Sequence, residues 1–327
     1  MAPCVRELPA PKPKARYRVT NWREYNRALV ARGSITLWID EAVVAGWGAS
    51  GGKGWRCSDT AILCGLGLRA VFGLTLRQTQ GLLHDLTRLL GLEIAVPHYS
   101  TFSRRASALT VPALCLRSDG RSDGRSDGGA PLHLAVDATG LRVHGEGEWK
   151  VRVHGKDKRR VWRKLHLAVD TGTGLLVAHA LTASEVHDGA LLEPLLAAVA
   201  APIATVCADK AYDSFDCHAA ILAKEARPVI PPRKGAAIRP PANRKDFPPT
   251  RGAAVARIAE VGRDAWKAET GYHRRSLAET AMLRYKTLIG PSLRSRTFDR
   301  QMAEAAVAVR CINRFTALGM PRSIRIG

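Results

Sequence analysis

The chain has 327 residues, 46% of them hydrophobic, enough for one large or two medium domains, each with its own core. Fifty Lys and Arg against 29 Asp and Glu give a net charge of +21, which points to a polyanion, nucleic acid ahead of a merely soluble basic protein or a ribosomal-type binder. Seven cysteines, odd in number, scattered and with no C-x-x-C pair, exclude a disulfide framework and a cysteine zinc site and read as reduced thiols of a cytoplasmic protein.

The first residues carry charge and proline but no apolar core, so no signal peptide is expected. "GASGGKGW" lacks both the first glycine and the final Ser or Thr of a phosphate loop. Residues 1–115 read as mostly helical. In "TLRQTQGLLHDLTRLLGL" the leucines at 82, 83, 86, 89 and 90 fall on one helical face, with Thr75 as cap and Gly91 near the end. "STFSRRASAL" follows a turn at Pro97, with Ser100 as its expected cap and Arg104 and Arg105 on its surface. The two helices are either a helix-turn-helix, with the second entering a major groove, or an ordinary packed pair. "RSDGRSDGRSDGG", Arg117 to Gly129, has nothing to bury and reads as a flexible linker.

Beyond the linker, strands are expected at Leu132–Val143, Trp162–Asp170 and Leu175–Leu181, the last two joined by the turn "DTGTG". A helix capped by Asp188, the strand "IATVCAD", the helix "DSFDCHAAILAK" and the short strand "ARPVIPP" come next. Hairpin-linked strands followed by strand–helix alternation predict a mixed α/β sheet. Ala190 to Ala208 is apolar, but Glu193, Pro194 and Pro202 break it as a membrane span.

Two stretches are basic. Glu148 to Lys164 holds eight Lys or Arg with Trp149 and Trp162 among them, and Arg227 to Arg251 holds seven with seven prolines. Each is either a solvated loop or a surface that tracks a phosphate backbone. In "GYHRRSLAETAMLRYKTLIG", a single helix would gather Tyr272, Arg275, Glu279 and Lys286 into an arc of about 60°. Leu277, Ala278, Ala281 and Leu288 would form the apolar back. An exposed Arg–Glu pair worth only tenths of a kcal/mol accounts for that pattern as well as a functional face does.

Tyr272-x2-Arg275-x3-Glu279-x6-Lys286 matches the Y-R-E-K signature of bacterial insertion-sequence transposases. The chain resembles more closely a DDE transposase of the insertion-sequence-five family, through "TNWREYNRALVARGSITLWID", "TLRQTQGLL", "GEGEWKVRVHGKDKRRVWRKLHLAVD", "ADKAYD", "IPPRKG", "RRSLAETAMLRYK" and "GMPRSIRI". The resemblance implies an α/β fold: a ribonuclease-H-like mixed sheet of strand order 3-2-1-4-5 with a helical N-terminal DNA-binding domain. Residues 1–115 would bind terminal repeats, 116–130 would link, and 131–327 would be catalytic, with a basic Pro-rich insertion at about 231–270. Asp137 and Asp209 would be neighbours on parallel strands, and Glu279 would join them from its helix.

These three acids would be both catalytic residues and ligands of two Mg²⁺ ions, with Mn²⁺ as a substitute. Asp170, which ends a second copy of the hexapeptide "LHLAVD", would instead cap its own turn. Asp213 and Asp216 would open a helix. Tyr272 and Arg275 would hold phosphates near the scissile bond, and Lys286 the element-end backbone. Arg104, Arg105, Lys156, Arg159, Arg160, Arg163, Lys164, Arg233 and Lys234 would supply further DNA contacts. The helix from Phe298 to Phe315 would support packing. The implied activity binds the ends of an insertion sequence, cuts DNA by metal-dependent hydrolysis and joins the freed 3′-OH to target DNA by transesterification. The implied partners are double-stranded DNA, as terminal inverted repeats and target, and a second copy in a synaptic homodimer. No membrane is involved, and the place is the bacterial cytoplasm at the nucleoid. The alternatives are a structure-specific nuclease of the same fold and a non-catalytic DNA-binding regulator.

Overall fold

The computed structural model describes residues 16–48, 57–111, 130–143, 161–236 and 249–326. The RSDG repeat and Lys156, Arg159 and Arg160 lie outside the described residues.

The chain opens with β1 (Tyr17–Val19), α1 (Trp22–Ala31) and α2 (Glu41–Ala45). Three further helices follow: α3 (Asp59–Phe72), α4 (Leu76–Leu89) and α5 (Tyr99–Arg105). Ser58 caps α3 by accepting from the Ala61 amide at 3.2 Å. Thr75 and Gln78 cap α4 reciprocally, each side chain bonding the other's amide. α5 starts two residues earlier than expected: His98, not Ser100, is its cap, and its ring is 2.8 Å from the Ser100 hydroxyl.

A mixed sheet forms the centre. Its strands are β2 (Leu132–Val143), β3 (Trp162–Asp170), β4 (Leu176–Ala183), β5 (Ile203–Ala208) and β6 (Arg227–Val229), in the order β4-β3-β2-β5-β6. β3 runs antiparallel to β2 and β4, whereas β5 is parallel to β2 and β6 parallel to β5. β7 (Ser292–Leu293) adds to the far end of β2. The two "LHLAVD" copies pair with each other, Leu134 opposite Asp170 and Asp137 opposite Leu167.

Alternation sends successive side chains of β2 to opposite faces. Leu134 and Val136 meet α6 (Leu192–Ala197) and α7 (Phe215–Leu222) in one core. Ala135 and Leu141 meet the other. That second core is closed by α10 (Ser276–Leu288) and α11 (Phe298–Leu318), while α8 (Pro249–Val261) and α9 (Arg263–Thr270) pack against Cys207 of β5 and Val229 of β6.

Three expectations shift. The stretch after His187 begins as a 3-10 turn, Asp188–Leu191, capped by His187 rather than Asp188. The helix proper waits until Leu192, which puts Pro194 in its first turn, where no amide bond is required. Tyr272 to Leu288 is not one helix: Gly271, at φ +69°, ends α9, Tyr272–Arg275 is a 3-10 turn, and α10 starts at Ser276. The buried face of α10 is Ala278, Ala281, Met282 and Tyr285, while Leu277 is exposed.

The N-terminal helices do not close a core alone. Ile62, Leu68, Leu83 and Phe102 pack with Val307, Cys311 and Phe315 of α11. β8 (Ser323–Arg325) pairs antiparallel with β1. Among the described residues no single helix is long and apolar enough to cross a membrane, and Ala190 to Ala208 becomes turn, helix and strand.

Candidate active site

The parallel register of β2 and β5 pairs Ala135 with Cys207 and Val136 with Ala208, so the next residues are Asp137 and Asp209. Asp137 lies within β2, and Asp209 caps the 3-10 turn that follows β5. One carboxylate oxygen of each is held by backbone: Ala138 N–H donates to Asp137 Oδ1 at 2.8 Å and Ala211 N–H to Asp209 Oδ1 at 2.7 Å. By alternation Asp137 shares the face of Ala135, the face that α10 covers. From there Arg275 Nη1 donates to Asp137 Oδ2 at 3.0 Å, while its Nη2 bonds Glu279 Oε1.

Arg275 is therefore the centre of the cluster. Burial raises the Asp137 pKa above the usual carboxylate range, and the negative charges of Asp209 and Glu279 push the same way. The Ala138 amide and Arg275 oppose them. Burial works to lower Arg275's own pKa, but its bond to Glu279 and the nearby Tyr272, Glu279 and Asp137 outweigh it and the pKa is raised. Tyr272 packs beside Trp266, ring centres 6.1 Å apart, in a small cluster with Cys207 and Val229. Burial raises its pKa as well.

The donor chemistry suits a hard divalent ion, which takes carboxylate oxygens. With Arg275 bonded between Asp137 and Glu279, the three carboxylates are not gathered into one site. Among the described residues no three His, Cys, Asp or Glu side chains stand close enough together to hold a metal ion. Arg275 spans two of the acids instead and supplies the counter-charge itself. In this structure the Arg275 fork is engaged with carboxylates.

The other expected residues divide. Asp170 caps its own turn, accepting from the Gly172 and Thr173 amides at 3.2 and 2.9 Å and from the Thr173 hydroxyl at 2.6 Å. Lys286 is half-buried in the last turn of α10, two turns beyond Glu279 on the same side. Arg104 and Lys234 are exposed.

Four of the expected DNA contacts are bonded to other groups of the protein, Arg233 from an exposed position. Arg105 donates to Cys57 O at 2.9 Å and pairs with Asp59. Arg163 donates to Gln301 at 2.9 Å and stacks over Phe298. Lys164 bonds Val186 O at 2.8 Å and Asp188 at 3.0 Å. Arg233 donates to Lys210 O and Ala211 O, bracing the turn that begins at Asp209. Asp213 does not open a helix. It is fully buried and accepts from Arg251 Nε at 2.7 Å and from the Arg233 amide at 2.8 Å, pinning the Pro-rich segment at both ends. No local spacing marks that bond, whose partner lies 38 residues away.

Residues 128–314, more than half of the chain and inclusive of Asp137, Asp209 and Glu279, match the family model described as the transposase DDE domain. A second model with that description matches residues 30–146. The chain belongs to the DDE transposases, enzymes of the polynucleotidyl transferase and endonuclease class that move transposable elements by DNA recombination. Among solved structures, a piggyBac transposase synaptic complex with hairpin DNA aligns at a TM-score of 0.38 and 12% identity, over 88% of this chain and 75% of that one.

Proposed function

We propose that the chain is an insertion-sequence transposase of the insertion-sequence-five type, carrying its Y-R-E-K signature on Tyr272, Arg275, Glu279 and Lys286. It binds terminal inverted repeats through the helical N-terminal region, cuts at the element end by hydrolysis and joins the 3′-OH to target DNA by transesterification. The strand order and the antiparallel β3 support a ribonuclease-H-like reading of the sheet. The observation that carries the function is the adjacency of Asp137 and Asp209 on parallel strands, with Glu279 tied to Asp137 through one arginine.

Asp137, Asp209 and Glu279 would hold divalent metal, two Mg²⁺ or Mn²⁺ ions, once Arg275 is drawn off them. The metal would stabilise charge on the entering and leaving oxygens. Arg275, a planar fork that suits carboxylate and phosphate equally, releases the acids when a backbone phosphate takes their place. Tyr272 shapes the adjoining wall, and Lys286 meets the backbone farther along α10. Arg104 and Lys234 remain open to DNA. The synaptic unit is a homodimer, because two ends must meet, and it works at the nucleoid in the bacterial cytoplasm.

Asp137→Asn, Asp209→Asn and Glu279→Gln are each expected to abolish cleavage of an element-end duplex and leave its binding nearly unchanged. Asp170→Asn is expected to keep cleavage and lose some stability. Equal damage from Asp170→Asn and Asp137→Asn, in a side-by-side nicking assay, would overturn the assignment of the acids.

A further inference from the structure

A second charged cleft lies away from the acids, where the N-terminal helices meet the start of α11. Arg69 on α3 and Arg300 on α11 line it, with Arg294 and Arg296 from the loop between β7 and α11. An adjoining pocket that shares Arg69, Arg294 and Arg300 with it contains one acid, Glu304. That acid is engaged elsewhere: its oxygens accept from the Arg294 and Ser295 amides at 2.9 and 2.8 Å. Arg69 reaches it only at 3.9 Å.

Four guanidinium groups therefore line the region with one carboxylate, whose oxygens are both taken by backbone amides. Arg294 is partly tied, donating to Gly73 O and Leu74 O. Arg69 and Arg300 are not satisfied: the Nε of each is buried with no hydrogen-bond partner. A buried donor left unpaired costs about 1–3 kcal/mol, and more when charged, so the protein itself does not fully satisfy either side chain. Burial lowers the Arg69 pKa, Glu304 opposes it, and the like charge of Arg294 adds to it.

The cleft is also continuous. Through Leu76 and Ser103 it runs into a groove lined by Thr75, Arg77, Ser100 and Arg104. Arg77 lies over the Tyr99 ring at 4.4 Å, which fixes its position along that groove. Charge and hydroxyl groups thus extend from Arg300 to Arg104, the spread of a strand of phosphates rather than a single small anion.

We propose that this cleft binds the sugar–phosphate backbone of duplex DNA, with Arg300 and Arg69 donating to a phosphate at its floor and Arg296 at its mouth. The proposal rests on DNA being the substrate, and it adds a contact at the junction of the N-terminal helices and α11, made by residues other than Tyr272, Arg275 and Lys286. It makes DNA binding a property of that junction rather than of the α4–α5 pair alone.

The test is binding of the full chain to a mixed-sequence DNA duplex across a salt series, read by fluorescence anisotropy, with Arg296→Ala, Arg300→Gln and Arg300→Lys. Arg296 is exposed, so its variant keeps the fold, and a thermal melt checks the Arg300 variants. Arg296→Ala and Arg300→Gln are each expected to weaken binding by about fivefold to twentyfold and to reduce the log–log salt slope by about one. Arg300→Lys is expected to keep the slope and lose part of the affinity, because it retains charge without the fork. Unchanged affinity and slope in Arg296→Ala and Arg300→Gln overturn the proposal and leave the transposase reading intact. Failure of the unsubstituted chain to bind any duplex overturns both. Orthophosphate that binds with the same arginine dependence, while duplex affinity does not change, marks a free-anion pocket and also overturns it.

Discussion

His218 on α7 is 2% exposed, with its Nδ1 3.0 Å from the Thr250 hydroxyl and its Nε2 3.9 Å from Asp213. Burial pushes its pKa down to about 4, against the pull of Asp213. An unfolded chain binds this proton at about pH 6.5, the folded one only near pH 4, so stability is complete above 6.5 and falls as pH drops through that window. The loss attributable to His218 is up to about 3 kcal/mol. Burial lowers His166 and His179 as well, in the same direction. His218→Gln is expected to flatten the fall of melting temperature between pH 6.5 and pH 4. A fall as steep as that of the parent would assign the pH sensitivity to other groups. At this scale the sequence was readable where a residue acts on its own neighbourhood, as Thr75 and Asp170 do. It was not readable where the partner is distant. Nothing near Arg275 in the chain announces a bond to Asp137, 138 residues away, or separates Arg105, turned inward, from Arg104, turned out.

Among the elements, the long runs of β-branched and aliphatic residues made the strands legible, because a sheet covered on both faces needs apolar residues at nearly every position. Junctions were less so. Tyr272 to Leu288 carries helical periodicity throughout, yet the left-handed Gly271 starts the segment as a 3-10 turn, and this brings Arg275 over the middle of β2. The edge strand β4 shows how an element is finished from outside. Asn313 on α11 accepts from the Leu176 amide at 2.9 Å and donates to the Leu176 carbonyl at 2.8 Å, covering backbone groups that an edge leaves open. Asn313→Leu keeps similar volume and strands both groups. It is expected to cost about 2–4 kcal/mol in urea unfolding, from roughly 1–3 kcal/mol per unsatisfied buried group. A change below about 0.5 kcal/mol, the usual size for an unimportant site, would mean that water reaches Leu176.

The whole molecule is held together by α11. One stripe of it meets the sheet, through Ala305, Ala308, Val309 and Ile312, and Val307, Cys311 and Phe315 on another stripe complete the core of α3, α4 and α5. Trp38 meets the Phe315 ring edge-on at 5.8 Å. The linker composition suggested two separate units, and composition cannot reveal that a helix from the last segment would serve both. Phe315→Ala removes a fully packed ring and is expected to cost about 3–5 kcal/mol. Hydrogen exchange is expected to accelerate in Ile62–Leu68 more than in Leu134–Val136. Equal acceleration in both would show one cooperative unit with no weaker half.

Because the first helices are capped by residues made some 240 positions later, such as Cys311 beside Gly67, their burial has a schedule. On the ribosome, Leu66, Leu83 and Phe102 emerge early and stay uncovered until the stretch from Val307 to Phe315 has left the exit tunnel. A prematurely terminated nascent chain would present that bare surface to chaperones and proteases, so that translation has to reach its last segment before any stable fold, and with it any enzyme, exists.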